Sequence, residues 1–214
     1  MRPYYEQDGV TIYHGDCRDV VEAFGLHFGT RRFDLLLTDP PYGINFAGRP
    51  TKWQRRAGLK PESWDAEPVA AELLASVRSL ATHQIIWGGN YYDLPIARCW
   101  LSWCKPNAPP SMGSVEYAWT NLDQNSRWIM HSIGATNAER VGHPTQKPEA
   151  VMLWAFTQAP QTVRSVFDPF MGSGTTLVAA KRLGKTAVGV DMEERYCEIA
   201  AKRLQQEALP LDVA

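Results

Sequence analysis

The feature that most constrains the fold is a series of short apolar segments, each of which ends in a polar or glycine-containing cluster. These segments cover residues 10–13, 33–37, 84–87, 165–167 and 187–190. Their length and their β-branched, leucine and aromatic content are typical of buried strands. Helical patterns lie between them at residues 69–80, 148–157, 175–183 and 193–209. Strands that alternate with helices predict an α/β fold with a mostly parallel sheet and helices on both faces.

The polar clusters all follow the carboxyl ends of the predicted strands. Ligands of open parallel sheets bind beyond those ends, so we expect the clusters to meet at one edge of the sheet. The 214 residues are 44% hydrophobic, which is enough apolar material for one substantial core. We therefore predict a single domain over residues 1–214.

The overall charge gives no indication of a polyanionic partner. Lys and Arg number 22 and Asp and Glu 23, so the formal net charge is -1 and no global positive field indicates nucleic acid. No run approaches the roughly 18 apolar residues of a membrane span, which predicts a soluble, cytoplasmic protein. The four cysteines form no Cys-x-x-Cys pair and the histidines are scattered, so we expect neither a disulfide framework nor a metal site.

Residues 168–176 read Asp-Pro-Phe-Met-Gly-Ser-Gly-Thr-Thr and join a predicted strand to a predicted helix. Glycines there let the backbone approach a ligand, and a helix amino terminus offers free N–H groups. A phosphate-binding loop would need a lysine directly after Gly174, where this chain has Thr175. A dinucleotide fingerprint would need a third glycine, where this chain has Leu177. A tight strand-to-helix turn is the plain structural alternative.

Asp191 ends the next predicted strand, about twenty residues after that loop. At this spacing a carboxylate can accept hydrogen bonds from both ribose hydroxyls of a nucleoside. A solvated acid at a helix start is the alternative interpretation. The loop and the acid together favour a nucleoside ligand that has no pyrophosphate.

A second cluster, Asp39-Pro40-Pro41-Tyr42, follows another predicted strand. Each proline fixes φ near about −65° and lacks an N–H, so the turn is rigid and its carbonyls face outward as acceptors. An acid, a fixed carbonyl and an aromatic ring can together hold an amino group that lies on a planar base. A plain turn would need only one proline.

With residues 38–43 placed long before residues 168–174, the chain resembles the DNA amino-methyltransferases of the beta class, which have this permuted motif order. Three further segments resemble parts of that family: residues 13–17, 143–148 and 196–204. The resemblance extends over about residues 10–205. It implies a Rossmann-like class I methyltransferase fold.

The resemblance also implies S-adenosylmethionine as the methyl donor. It places Asp16 by the adenine edge of this cofactor, Asp191 on the ribose, and Thr145 and Lys147 at the methionine end, although Lys147 could equally be a solvated charge. The full set of implied cofactor residues is Asp16, Cys17, Thr145, Lys147, Asp168, Phe170, Gly172, Ser173, Gly174, Thr175 and Asp191.

The family assigns catalysis to Asp39, Pro40, Pro41 and Tyr42. The exocyclic amine of adenine or cytosine is a poor nucleophile, because its lone pair is delocalised into the ring. Hydrogen bonds to the Asp39 carboxylate and the Pro40 carbonyl would stabilise the positive charge that develops during attack. Tyr42 would stack on a base that has left the duplex.

Asp at position 39, where cytosine-specific members more often have Ser, favours the N6 amine of adenine in DNA. Cytosine N4 is the alternative, and an RNA substrate is a further one. A catalytically silent DNA-binding protein of the same fold is an alternative of another class. A nicotinamide oxidoreductase would share the fold, but the chain lacks its fingerprint.

Contacts with DNA are predicted from local charge. An insertion loop at about residues 44–66 contains the stretch 49–60, which carries five cations and no acid. The net charge of -1 therefore conceals a +5 stretch soon after the Tyr42 motif. We expect phosphate contacts or a wedge beside the flipped base from this stretch, with a solvated loop as the alternative. The residues concerned are Arg49, Lys52, Trp53, Arg55, Arg56 and Lys60.

A short target-recognition region is expected at about residues 119–142, where Arg127 is suited to a base edge but also to any surface loop. So short a region suggests a short target, help from the basic loop, or help from a second subunit. A homodimer and a restriction-endonuclease counterpart in the host are further partners that the resemblance implies.

Overall fold

A mixed sheet of nine strands organises the part of the chain that this computed structural model describes, which is residues 2–28, 33–45, 48, 65–109, 112–138, 141 and 145–206. The strands are β1 Tyr5–Gln7, β2 Val10–His14, β3 Phe33–Thr38, β4 Ala81–Trp87, β5 Trp100–Cys104, β6 Val115–Thr120, β7 Arg127–Met130, β8 Ser165–Asp168 and β9 Thr186–Asp191. Their order across the sheet is β1-β2-β9-β8-β3-β4-β6-β5-β7.

The five central strands, β2, β9, β8, β3 and β4, are parallel. Strand β1 is antiparallel to β2 at one edge, and β6 is antiparallel to both β4 and β5. Strand β7 is parallel to β5 at the other edge. The prediction of a mostly parallel α/β sheet is thus confirmed.

Helices cover both faces of this sheet. They are α1 Cys17–Phe28, α2 Ala71–Ser79, α3 Ile133–Ala138, α4 Glu149–Gln158, α5 Thr175–Arg182 and α6 Glu194–Gln206, with a short 3-10 helix at Gly89–Tyr91. On β3, Leu35 and Leu37 pack with α4, α5 and α6, whereas Leu36 faces the opposite way and packs with α1 and α2. The strand is buried on both faces, which is why it is a continuous apolar run.

The connections from β8 and β3 diverge. From β8 the chain passes through α5 to β9 on one side, and from β3 it passes through α2 to β4 on the other. Because β3 and β8 are neighbours, with Leu36 opposite Phe167, their carboxyl ends form the switch point where ligands of such sheets bind. Both predicted motifs start at this point.

The predicted elements lie within a few residues of the observed ones, except that residues 207–209 of the last predicted helix lie outside the described part of the chain. The sequence patterns missed α1, α3 and the strands β1, β5, β6 and β7. In β5 buried and half-buried residues alternate, and in β7 only Ile129 is partly buried, so neither strand is buried along its whole length as the central strands are. Within the described residues, no helix is long and apolar enough to span a membrane. That the whole chain is one domain stays a prediction.

Candidate active site

A cavity of about 1200 Å³ lies at the carboxyl ends of the parallel strands and brings the two predicted motifs together. Pockets for a single small ligand commonly measure about 300–1,000 Å³, so there is room here for more than one. The predicted residues that line it are Cys17, Asp39, Pro40, Pro41, Tyr42, Thr145, Lys147, Asp168, Phe170, Gly172, Ser173, Thr175 and Asp191.

The glycine loop between β8 and α5 depends on its glycines for shape. Gly172 and Gly174 have φ values of 51° and 76°, in the left-handed region that favours glycine. A Cβ on Gly174 would lie 2.6 Å from the Cβ of Ala200, so α6 also requires the small residue. Arg203 of α6 donates to the carbonyl oxygen of Ser173 at 2.7 Å and to the Thr175 hydroxyl at 3.1 Å. Helix α6 therefore fixes the loop from behind.

Asp168 connects the two motifs. Its Oδ1 accepts a hydrogen bond from the Thr38 hydroxyl at 2.7 Å and from the backbone N–H of Phe170 at 3.1 Å. Burial raises the pKa of Asp168 to about 6, although hydrogen bonds from Thr176, Thr38 and the backbone oppose the rise. The carboxylate thus fastens the end of β3 to the start of the glycine loop.

Asp191 lies at the end of β9 and is bonded to the same loop. Its Oδ2 accepts from the N–H of Gly172 at 2.9 Å, and its Oδ1 accepts from the N–H of Glu193 at 2.8 Å. Burial raises the pKa of Asp191 to about 7 despite these bonds. Each oxygen keeps a lone pair with which to accept a further hydrogen bond, so the predicted ribose contact stays a prediction that the geometry permits.

Three other predicted cofactor residues differ in their surroundings. Asp16 is bonded to Arg18 through a 2.9 Å ion pair and is not among the cavity-lining residues. Cys17 lines the cavity, and burial raises the pKa of its thiol to about 12, so it stays protonated. Thr145 is half-buried in the cavity wall. Their contacts with a cofactor stay predictions.

The Asp39–Tyr42 turn is held from two sides. The Tyr92 hydroxyl donates to the carbonyl oxygens of Pro41 at 2.7 Å and Pro40 at 3.2 Å. On the other side, the Oδ1 of the buried Asp65 accepts the N–H of Tyr42 at 3.1 Å. The turn is therefore rigid, as its two prolines predict.

The ring of Tyr42 is stacked on that of Tyr91, with 4.9 Å between centroids and 14° between planes. Gly88, at φ 67°, passes so close to the Tyr42 ring that any Cβ there would overlap it. Tyr91 follows in the short 3-10 helix and is 47% exposed. An aromatic ring thus already stacks on the side chain that we predict will stack on a base.

A chain of charged side chains ends on Asp39, in which Lys147 and Lys105 are buried and Asp39 and Glu116 are half-buried. Tyr42 donates its hydroxyl proton to Asp39 Oδ1, and Lys147 Nζ donates to Asp39 Oδ2 at 2.7 Å. The same ammonium lies 2.9 Å from Glu116 Oε2, and Lys105 pairs with the other oxygen of Glu116. Lys147 is only 7% exposed, which excludes the solvated-charge alternative. The structure places it on the Asp39 motif, and its contact with the methionine end of a cofactor stays a prediction.

Sequence reasoning missed Glu116 and Lys105. Both lie in or beside strands at the antiparallel end of the sheet, outside any recognisable motif. Their one signal is a charge next to apolar strand residues, and such alternation ordinarily indicates a solvent-facing side chain.

The structure does not bring Arg127 to the cavity. Strand β6 is antiparallel to β4, so the chain at and beyond Thr120 lies towards the amino-terminal ends of the parallel strands, away from the cavity. Arg127 begins β7 opposite Leu101, whereas Met130 is paired with Cys104 at the end nearer the cavity. The predicted contact between Arg127 and DNA stays a prediction that this position does not favour.

The predicted DNA-binding residues of the insertion loop lie outside the described part of the chain. They are Arg49, Lys52, Trp53, Arg55, Arg56 and Lys60.

Comparisons with known proteins agree with the resemblance to DNA methyltransferases. A family model of N6/N4 methyltransferases, described as DNA methylase, matches residues 102–202. The type II methyltransferase M2.MboI of Moraxella bovis is 25% identical, over 96% of this chain and 92% of its own length. The type II methyltransferase M.ScaI of Streptomyces caespitosus is 26% identical, over 98% of this chain and 86% of its own.

Solved structures share the fold. That of M1.HpyAVI in complex with S-adenosylmethionine has a TM-score of 0.65 at 22% identity and covers 91% of this chain and 99% of that one. The cytosine-N4-specific PvuII DNA methyltransferase has a TM-score of 0.62 at 17% identity and covers 100% of this chain and 91% of that one. Taken together, the permuted motifs, the family match over residues 102–202 and the relatives show that the chain is similar to the N6/N4 DNA amino-methyltransferases.

Proposed function

We propose that the protein transfers a methyl group from S-adenosylmethionine to the exocyclic N6 amine of an adenine flipped out of DNA. The observation that carries this proposal is the joining of the two motifs in one cavity, where the 2.7 Å bond from Thr38 to Asp168 fastens the Asp39 turn to the glycine loop. A methyl donor and an acceptor amine must meet in such a place for transfer to occur.

The glycine-loop side of the cavity fits the proposed cofactor. Gly172 leaves the backbone open to a ligand, Asp191 offers acceptors for ribose hydroxyls, and Phe170 adds an apolar surface. The M1.HpyAVI structure, which shares the fold, is a complex with this molecule. When bound, S-adenosylmethionine supplies a methyl group on a sulfonium, and the carbon–sulfur bond breaks as the new carbon–nitrogen bond forms.

Asp39 and Pro40 act on the acceptor amine. Two hydrogen bonds, to the Asp39 carboxylate and the Pro40 carbonyl, draw the amine nitrogen towards tetrahedral geometry and make its lone pair available. The nitrogen becomes positive as it gains the methyl group, and the same two acceptors stabilise that charge. The nitrogen then loses one proton, for which the Asp39 carboxylate is the proposed route. Tyr42 stacks on the base, which offsets part of the cost of leaving the duplex.

Adenine is favoured over cytosine because the turn begins with Asp39, at the position where cytosine-specific members of the family more often have Ser. Cytosine N4 is the second candidate, and the fold shared with the cytosine-N4-specific PvuII enzyme is the observation that keeps it open. Both bases present an amine beside a ring nitrogen, so the Asp39 turn alone suits either.

Analysis of digested product DNA tests the proposal. After incubation with S-adenosylmethionine and mixed-sequence DNA, N6-methyladenine should appear among the nucleosides. N4-methylcytosine alone would overturn the choice of base, and no methylated base with any DNA would overturn the function. Asp39→Ala should lower the transfer rate by at least about 100-fold, while calorimetry shows unchanged cofactor binding.

DNA contact is proposed for the five cations of residues 49–60 and for Trp53. Replacing Arg55 and Arg56 by Ala should weaken DNA binding and reduce its dependence on salt by about two phosphate contacts, with cofactor binding unchanged. An unaltered salt dependence would make this stretch a solvated loop. A cytoplasmic homodimer with an endonuclease counterpart belongs to the same proposal, and the type II names of the relatives support the counterpart.

A further inference from the structure

We propose that Lys147 and Glu116 are positioning residues for Asp39: Lys147 holds the carboxylate in place, and Glu116 draws the ammonium back so that its charge does not oppose the reacting amine. This inference rests on the proposed function, because it concerns the residue that is to accept the amine. It assigns both residues to the side of the cavity that the Asp39–Tyr42 turn forms.

The first step is geometric. The two oxygens of Asp39 have different partners, since Tyr42 donates to Oδ1 and Lys147 donates to Oδ2 at 2.7 Å. Two donors on different oxygens fix the rotation of the carboxylate about its Cβ–Cγ bond. Each oxygen keeps a lone pair, so the carboxylate can still accept a hydrogen bond from an amine.

The second step is the cost of the arrangement. Lys147 and Lys105 are 7% and 6% exposed, and a buried ammonium is destabilising unless it is closely paired. Glu116 pairs with both ammonium groups, and Lys147 also pairs with Asp39. Two cations and two carboxylates therefore alternate in a neutral chain. If stability were the only requirement, apolar residues would serve better at these positions. The charges therefore indicate a role in the site.

The third step concerns charge at the amine. A lysine bonded to Asp39 alone would neutralise the carboxylate and place a cation beside a nitrogen that becomes positive during transfer. Glu116 Oε2 lies 2.9 Å from the same ammonium and shares it. Lys147 can then orient Asp39 without cancelling its charge.

The pKa of Asp39 responds to both residues. Burial raises it, Lys147 lowers it and Glu116 raises it. Three further groups face this site: Lys105 after β5, the Tyr92 hydroxyl above the proline turn, and Asp168 at the end of β8. The two substitutions leave these three side chains in place, but Glu116→Gln removes the carboxylate that pairs with Lys105, and the unpaired ammonium then acts in the same direction by lowering the pKa of Asp39. The two substitutions should therefore move the titration of Asp39 in opposite directions.

The test compares pH profiles of single-turnover methyl transfer. Lys147→Met should move the acid limb to higher pH and lower the rate about 10- to 100-fold near neutrality, with recovery as pH rises. Glu116→Gln should move the acid limb to lower pH and lower the maximal rate. Lys147→Arg and Glu116→Asp keep the charges and should restore the position of the limb. Lys202→Met, which removes an exposed ammonium on α6, should change neither limb nor rate.

A second measurement does not depend on activity. The side-chain carboxyl carbon of Asp39, followed by NMR in the protein alone, should titrate higher in Lys147→Met and lower in Glu116→Gln. Shifts in the same direction, or a uniform loss of rate with no shift, would overturn the inference. If the wild-type protein methylates no DNA, the proposed function fails. The order of the Asp39 pKa values that NMR gives for the two variants and the wild type still decides the inference. Cofactor binding by calorimetry and a thermal unfolding curve verify that each variant is folded.

Discussion

The two sides of the cavity hold their carboxylates differently. On the glycine-loop side, Asp191 accepts backbone N–H groups from Gly172 and Glu193, within 19 residues along the chain. On the side of the Asp39–Tyr42 turn, Asp39 is bonded by the side chains of Tyr42 and Lys147, the second of which is 108 residues away. Asp191 is held by backbone donors and burial raises its pKa to about 7, whereas Asp39, whose pKa burial also raises, belongs to a chain of ion pairs. One side is thus a local product of its loop, and the other is a product of the tertiary fold.

Two glycine substitutions would sharpen this comparison most. Gly88→Ala places a methyl group against the Tyr42 ring and should lower the transfer rate by about 100-fold or more, with cofactor affinity retained. Gly174→Ala forces a methyl group towards Ala200 at a left-handed φ and should weaken cofactor binding first. Single-turnover rates and calorimetry on both variants provide the measurement.

Gly184→Ala is the control for left-handed strain alone, since its φ is 63° and no atom lies within 4 Å of an added Cβ. It should lower stability and leave both functions intact. If Gly88→Ala and Gly174→Ala impair binding and transfer in the same proportion, the two sides do not act separately.

Thr38→Val would break the link between the sides. The substitution keeps the shape and removes the 2.7 Å donor to Asp168, so the free energy of unfolding should fall by about 1–3 kcal/mol. The pKa of Asp168 is raised to about 6, so the group is charged above that pH and depends most on its donors there. Urea unfolding should therefore show a larger loss at pH 8 than at pH 5.

Thr157→Val is the matched control, because that hydroxyl bonds a carbonyl on an exposed turn of α4. It should change the unfolding free energy by less than about 0.5 kcal/mol at either pH. An equal loss at pH 5 and pH 8 in Thr38→Val would show that the bond does not depend on the charge of Asp168.

The smallest expected effect is the pH dependence of cofactor affinity that Asp191 produces. Its pKa is raised to about 7, so the carboxylate is mostly protonated at pH 6 and mostly ionised at pH 8. If the ionised form accepts the ribose hydroxyls, cofactor affinity should rise by up to about tenfold over this range. The raised pKa has the opposite effect on folding. As pH rises from the pKa of Asp191 in the unfolded state, 3.8, to its folded value of about 7, the unfolded chain releases a proton that the folded protein retains, and stability is lost.

Calorimetry from pH 6 to 8 on wild type and Asp191→Asn isolates this contribution, because the cofactor's own titration is common to both. The variant should lack the carboxylate-dependent rise in affinity and gain stability relative to wild type above pH 7. The same pH dependence in both proteins would exclude Asp191 as the titrating acceptor.

The glycine-loop side could be predicted because the loop, its helix and the following acid are contiguous in sequence. The same holds for the Asp39–Tyr42 turn, whose prolines determine its conformation. Glu116 could not be predicted, since its role depends on which strand lies beside β4 and on an antiparallel direction that no local pattern indicates. The position of Arg127 could not be predicted either, because the directions of β6 and β7 place it at the end of the strands that is farther from the cavity.

The hydrogen bond from Thr38 to Asp168 joins residues 130 positions apart. It requires β3 and β8 to be neighbours in the sheet and does not depend on the route of the intervening chain. The order in which a chain presents its Asp39–Tyr42 turn and its glycine loop is therefore irrelevant to the finished cavity. Position within the sheet, and not succession along the polypeptide, is what a rearranged gene for such an enzyme has to preserve.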